Sequence, residues 1–169
     1  MQCKDRLESY LRGNDVAFQV QHHVRAFTAQ EIASTEHVPG KLIAKVVMVI
    51  ANGKTVMLAM PASHRVDLAA VPTYLEAADA RLAHESEFAK TFPDYEVGAM
   101  PPFGNLYGVP VVVDTSLAED DTIVVQAGTH SFKSQVRRLR AACSAVRGGV
   151  RPPSLGGLGQ EPAARNRHG

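Results

Sequence analysis

Lys45 stands inside the apolar run LIAKVVMVIA, residues 42–51. In an extended strand it shares a face with Ile43, Val47 and Val49, while Ala44, Val46 and Met48 point the other way. If both faces pack, the ammonium must lose its proton or meet an anion, because a buried unpaired charge is costly. Three chemistries are open to it. The lysine could snorkel to water or pair with a protein carboxylate. It could line a cleft and meet a ligand phosphate or carboxylate. It could also serve as a Schiff-base or general-base lysine. A second feature is GAMPPFG, residues 98–104. Prolines stiffen such a loop and glycines let its backbone approach a substrate, so its N–H groups could form an oxyanion hole or hold a water. An ordinary tight turn would use the same residues. The third is His130 in AGTH, residues 127–130, just past a strand end where a side chain can reach a cleft. A lone histidine is more often structural.

Other chemistries lack their residues. His22, His23, His37, His64 and His84 form no i, i+4 pair with an intervening acid, so no zinc-protease site is expected, and no metal or cofactor is implied. GxxxxGK[ST], GxGxxG and GxSxG are all absent, which leaves no obvious covalent nucleophile. Cys3 and Cys143 form neither a CxxC nor a zinc spacing and suggest a reducing compartment.

The 169 residues are 45% hydrophobic and 21% charged, which fits one globular domain with a workable core. Charge is uneven. From Lys133 onward eight basic residues face Glu161 alone, a net +7, so residues 1–132 carry −6 of the overall +1. Such an asymmetry marks either an interaction tail or a solvated extension. No apolar run approaches the ~20 residues that span a bilayer, and MQCKDRLESYL lacks the apolar core of a signal peptide. A cytoplasmic protein without membrane partners is expected.

The elements that must position these residues follow from local pattern. Residues 3–12 predict a helix with Leu7, Tyr10 and Leu11 on one face, and VAFQVQHH (16–23) predicts a strand. Thr28 and Glu31 form a capping box that opens a helix over 27–38. Asn52-Gly53 joins the Lys45 strand to KTVMLAMPA as a hairpin with a type I′ turn. Residues 63–75 predict a helix that starts near Ser63 and ends around Pro72, and 85–92 a second short one. VPVVVDTSL and DTIVVQAG predict strands, and 134–147 a basic helix. The antiparallel hairpin among interleaved helices argues for α+β: a mixed, largely antiparallel, curved sheet with surrounding helices, not a doubly wound parallel sheet. The last stretch, rich in Gly, Pro and Arg, is expected to be partly disordered.

Taken in order, H-x-x-A-x-T-A-Q-E (His23 to Glu31), Lys45, MPASHRVDL (60–68), GAMPPFG, GVPVVVD (108–114) and AGTH make this chain resemble the YbaK/prolyl-tRNA synthetase-associated domain family. These are free-standing or synthetase-fused domains that hydrolyse mischarged aminoacyl-tRNA. The resemblance covers about residues 1–132 and leaves 133–169 as a basic extension that departs from the family's usual ending. It implies that Lys45 is the family's lysine, that Gly98 and Pro102 are its GxxxP motif, and that His130 matches the histidine of the alanine-editing branch. Lys45 would then face the terminal ribose and phosphate of tRNA. The substrate-binding set expected around it is His23, Phe27, Thr28, Met48, Met60, Pro101, Phe103, Gly104 and Gly128. Among these, Phe27, Met48, Met60 and Phe103 would measure side-chain size. The implied activity is trans-editing deacylation of the tRNA 3′ ester, often assisted by the substrate's own hydroxyl or thiol. The implied partners are aminoacyl-tRNA and an aminoacyl-tRNA synthetase. The rival readings are an inactive tRNA- or synthetase-binding module and a small-molecule hydrolase.

Overall fold

The computed structural model describes residues 2–22, 38–96, 98–129 and 132–137. Near the N-terminus, α1 (Cys3–Gly13) buries Leu7 and Leu11, one turn apart on the expected face. Its end is closed by Asn14, whose side-chain amide donates to the Tyr10 carbonyl at 2.8 Å. Strand β1 (Phe18–His22) follows.

The predicted hairpin is β2 (Ala44–Ala51) and β3 (Lys54–Pro61). Asn52 and Gly53 both have positive φ, +48° and +72°, as a type I′ turn requires. Short β4 (Ala80–Leu82) pairs antiparallel with the far end of β2, and β5 (Val111–Val113) pairs parallel with β3. The result is a four-stranded sheet in the order β4-β2-β3-β5. A second sheet, β1-β7-β6, is built from β6 (Thr122–Gln126) and β7 (Phe132–Arg137). A parallel bridge between Ile43 and Val124 links the two. The fold is therefore mixed α+β and largely antiparallel, as expected, but split into two sheets.

Strand alternation divides the core. One face of the large sheet buries Ala44, Met48, Met57, Ala59, Val111 and Val113 together with Ile123 and Val125 of β6 and Ala127 just after it. Leu7, Leu11, Phe92 and Phe103 fill the same cluster. The opposite face buries Val49, Leu58 and Met60 against Val71, with Val66, Leu68 and Leu75 packed beside them. Ile43, Val124 and Ala62 form a third, smaller cluster.

Three local expectations are corrected. The helix expected over 63–75 is only α2 (Val71–Leu75), because Pro72 lies in its first turn. Proline there needs no N–H partner and opens a helix rather than closing one. The helix expected over 85–92 is α3 (Glu85–Phe88). The start of the basic helix expected over 134–147 is instead the end of β7, the middle strand of its sheet. FKSQVR reads as polar, and Val136 is fully buried in it. Main-chain bonding to β1 and β6 on both sides decides that conformation, and no local window contains those partners. The strand runs past the boundary expected at 132. Residues after 137 lie outside the described chain, as does the helix expected over 27–38, except for Val38.

Candidate functional site

Strand register puts three residues in a row across one face and directs a fourth toward them. Lys45 pairs with Met60 across β2 and β3. Ala59 pairs with Val113, so Asp114 stands one position on, beside Met60. Its N–H donates to the Ala59 carbonyl at 2.8 Å, which fixes that place. Ile43 bridges Val124 in parallel, and continuing that register two positions directs Gln126 toward Lys45. The row reads Asp114, Met60, Lys45, with Gln126 directed toward its end.

Each member is held by its element. Lys45 is half-buried and donates through Nζ to the main-chain carbonyl of His64. That carbonyl belongs to the turn that follows β3, where the His64 N–H donates to the Pro61 carbonyl at 3.0 Å. Ala62 ties the same turn to the start of β2 by donating to the Ile43 carbonyl at 2.8 Å. Asp114 caps α4 (Thr115–Glu119): its Oδ1 accepts from the Ser116 N–H at 2.8 Å and from Ser116 Oγ at 2.6 Å. The carboxylate is only 1% exposed. Its Oδ2 lies 3.6 Å from His64 Nδ1, and neither atom has a hydrogen-bond partner among the described residues. Gln126 is 5% exposed, and its Nε2 likewise has no partner among them. Buried polar atoms are nearly always bonded, so this unsatisfied amide donor is where a ligand acceptor would be stabilised.

The loop at 98–104 packs from the other side. Met100 and Phe103 lie in the main core with Met48, on the face away from Lys45 and Met60. Pro101 and Pro102 are buried. A Cβ on Gly104 would sit 3.0 Å from the Val109 carbonyl oxygen and 3.1 Å from Val111 Cγ2, so packing alone explains that glycine. Ala99 and Phe103 use their N–H groups on the Glu96 and Pro101 carbonyls. Prolines have none, which leaves Gly98, Met100 and Gly104 as the remaining amide donors of the stretch. Gly98 is the exposed one of the three, with φ +78°.

The loop is stitched to the end of β6: Gly128 donates to the Ala99 carbonyl at 2.9 Å and accepts from the Glu96 N–H at 2.7 Å. A cavity of about 440 Å³ opens there, lined by Gln2, Cys3, Lys4, Asp94, Tyr95, Glu96, Gly128 and Thr129. Gly128 has φ +89°, and a Cβ on it would stand 2.6 Å from Cys3 Cβ. Its glycine is thus required by the approach of α1. Burial pushes the Cys3 thiol pKa up, against the opposing effect of its hydrogen bond with Tyr107. Burial is also the main cause that raises the Tyr107 phenol, which donates to Asp94 at 2.8 Å.

Among the expected site residues, Lys45 and Met60 come together, and Gly98, Pro101, Pro102, Gly104 and Gly128 form the stitched loop. Met48 and Phe103 sit in the core instead. His23, Phe27, Thr28 and His130 lie outside the described residues. The structure adds His64, Asp114 and Gln126. The first two were inside quoted motifs, and an acid closing the apolar run VPVVV before Thr-Ser was a legible helix cap. Nothing in the sequence marked Gln126. Among the described residues no three His, Cys, Asp or Glu side chains converge as a metal site, and no helix is long and apolar enough to cross a membrane.

The sequence matches the family model of the aminoacyl-tRNA editing domain over residues 23–138. No curated protein matches it. Among solved structures, the fold is similar to that of the hypothetical protein APE2540. The TM-score is 0.71 at 20% identity, over 83% of this chain and 93% of that one. It is also similar to a candidate trans-editing enzyme for prolyl tRNA synthetase, with TM-score 0.71 at 16% identity, over 88% and 96% of the two chains. At these identities the likeness is one of fold.

Proposed function

The chain belongs to the aminoacyl-tRNA editing domain family, and from that premise we propose that it is a deacylase that hydrolyses the 3′ ester of a mischarged aminoacyl-tRNA. The observation that carries the proposal is the parallel bridge of Ile43 with Val124, whose register directs Gln126 toward Lys45. That register brings a fixed ammonium and a buried amide donor without a partner among the described residues toward the same junction of the two sheets. A nucleotide offers a ribose and phosphate for the first and a hydroxyl or carbonyl for the second.

Deacylation needs a water at the ester carbonyl and donors for the oxyanion that forms. Preorganised N–H groups fill the second need without any covalent nucleophile, and Gly98 is the exposed amide of the loop proposed to supply them. Met60, paired with Lys45 but itself fully buried with Leu58 and Val71, is proposed to back the wall from the core side. Pro102 holds the loop, and His130 is proposed to shape the pocket. One methylene of discrimination is worth ~1–3 kcal/mol, so the wall's packing selects the amino acid. The partners of this reading are the acceptor end of aminoacyl-tRNA and a synthetase that releases it, and a cytoplasmic location is proposed with them.

The test is turnover against a panel of tRNAs each charged with a wrong small amino acid. Release of amino acid from at least one of them at catalytic enzyme concentration supports the reading. Saturable tRNA binding with no release from any would make the protein a binding module instead.

A further inference from the structure

The Asp114–His64 pair has the parts of an oriented base. Asp114 is fully buried and doubly anchored: its N–H is bound to β3 and its Oδ1 to Ser116. Only Oδ2 remains, directed at His64 Nδ1 across 3.6 Å. A carboxylate oxygen buried without a donor is costly. His64 Nδ1, also buried and without a hydrogen-bond partner among the described residues, is a nitrogen that a small ring rotation could bring to it. Closing that 3.6 Å gap into a hydrogen bond would hold the proton on Nδ1 and leave the Nε2 lone pair free. Nδ1 is buried, while the His64 side chain as a whole is 21% exposed, so the exposure belongs to the rest of the side chain. The same residue's carbonyl holds Lys45. His64 in the turn and Lys45 on β2 are thus joined through the His64 carbonyl.

We propose that His64 is the proton acceptor in the deacylation and that Asp114 is the residue that positions it; this rests on the deacylase reading above. Water oxygen bonds to the ester carbonyl carbon as one of its protons passes to His64 Nε2. The tetrahedral oxyanion then collapses, the bond from carbon to the ribose oxygen breaks, and the imidazolium returns the proton to that oxygen. Free amino acid and tRNA leave, with no oxidant or reductant involved. Among the described residues, the charged groups around His64 are the Asp114 carboxylate at the end of β5 and the Lys45 ammonium on β2. Arg65 and Asp67 lie nearby in its own segment.

The experiment compares wild type, His64→Asn and Asp114→Asn in kcat, KM and the pH dependence of kcat/KM on a mischarged tRNA, with imidazole ¹⁵N spectra of each. Asparagine at 64 keeps a donor facing Asp114 but has no base. Asparagine at 114 keeps the helix cap and turns an N–H₂ toward Nδ1, which favours the opposite tautomer. His64→Asn is expected to lower kcat by a hundredfold or more, within the ~10²–10⁴ range of general-base catalysis. KM and melting temperature should hardly move, and the acid limb of the profile should vanish. Asp114→Asn is expected to lower kcat at least tenfold and to switch the His64 ring from Nδ1–H to Nε2–H. A His64→Asn enzyme within threefold of wild type, with its acid limb intact, would overturn the base role. Identical ring spectra in wild type and Asp114→Asn would overturn the positioning role. A wild-type protein that releases no amino acid removes the deacylase reading and the base role together, while the spectra still decide the pairing.

Discussion

Replacing Lys45 with methionine keeps the aliphatic stem and removes only the ammonium. The sequence alone assigns no stability cost to this change, since a cleft cation would serve the ligand. The structure does, because Nζ donates to the His64 carbonyl and ties the turn after β3 to β2. A hydrogen bond to a charged group contributes ~1.5–3 kcal/mol. Lys45 is half-buried, so water can replace part of that bond and the lower end applies, about 1.5 kcal/mol. At ~2–4 °C per kcal/mol for a domain of this size, the melting temperature should fall by about 3–6 °C. The effect on activity should be larger. Loss of the ammonium removes a charge-assisted contact to the tRNA end and also frees the turn that holds His64. Two such losses of ~1.5–3 kcal/mol each, at 1.4 kcal/mol per factor of ten, give at least a hundredfold drop in kcat/KM. Lys45→Arg should recover little of it, since a planar guanidinium cannot occupy the position of a compact ammonium. Thermal unfolding by circular dichroism and steady-state deacylation on the same samples would check both numbers. Full activity together with the lowered melting temperature would show that Lys45 only fastens the turn, and the reasoning that makes it a ligand anchor would fail.

Gly128→Ala should destabilise by about 2–5 kcal/mol, the sum of ~1–2 for a left-handed backbone and ~1–3 for overpacking, because the new Cβ would meet Cys3 Cβ at 2.6 Å. Denaturant unfolding would measure it, and adding Cys3→Ala should not rescue the variant, since that Cβ remains. Glu87 is held to a pKa of about 2 by its hydrogen bonds with the Arg81 guanidinium, at 2.6 and 2.8 Å, and with the His84 N–H. A depressed carboxylate stabilises the fold above its unfolded pKa, so this contribution should fade as pH falls from about 4.5 towards 2, and Arg81→Ala should raise the Glu87 titration seen by NMR. Truncation after Gly149 removes Arg151, Arg165 and Arg167 against Glu161, a net +2. It should leave the salt dependence of tRNA affinity within about one unit of log–log slope, and a larger fall would mean that the segment contacts phosphates directly.

Residues whose conformation depends on near neighbours were legible in the chain as written. Leu7 and Leu11 one helical turn apart, Asn52-Gly53 between two β-branched runs, and the alternation that sets Lys45 apart from Ala44 and Met48 all appear in the structure as read. The motif order that brought the editing-domain family into view is likewise a property of the linear chain. What tertiary structure decided was register between distant strands. Ile43 beside Val124 directs Gln126 toward Lys45, and Ala59 beside Val113 carries Asp114 to Met60 and within reach of His64. The same cause made a central strand of FKSQVR. Side-chain period reports which residues share a face, but the pairing of one strand with another is set by main-chain hydrogen bonds and closure of a common core. Those involve residues far apart in the chain, and a one-residue slip would exchange every side chain between the faces.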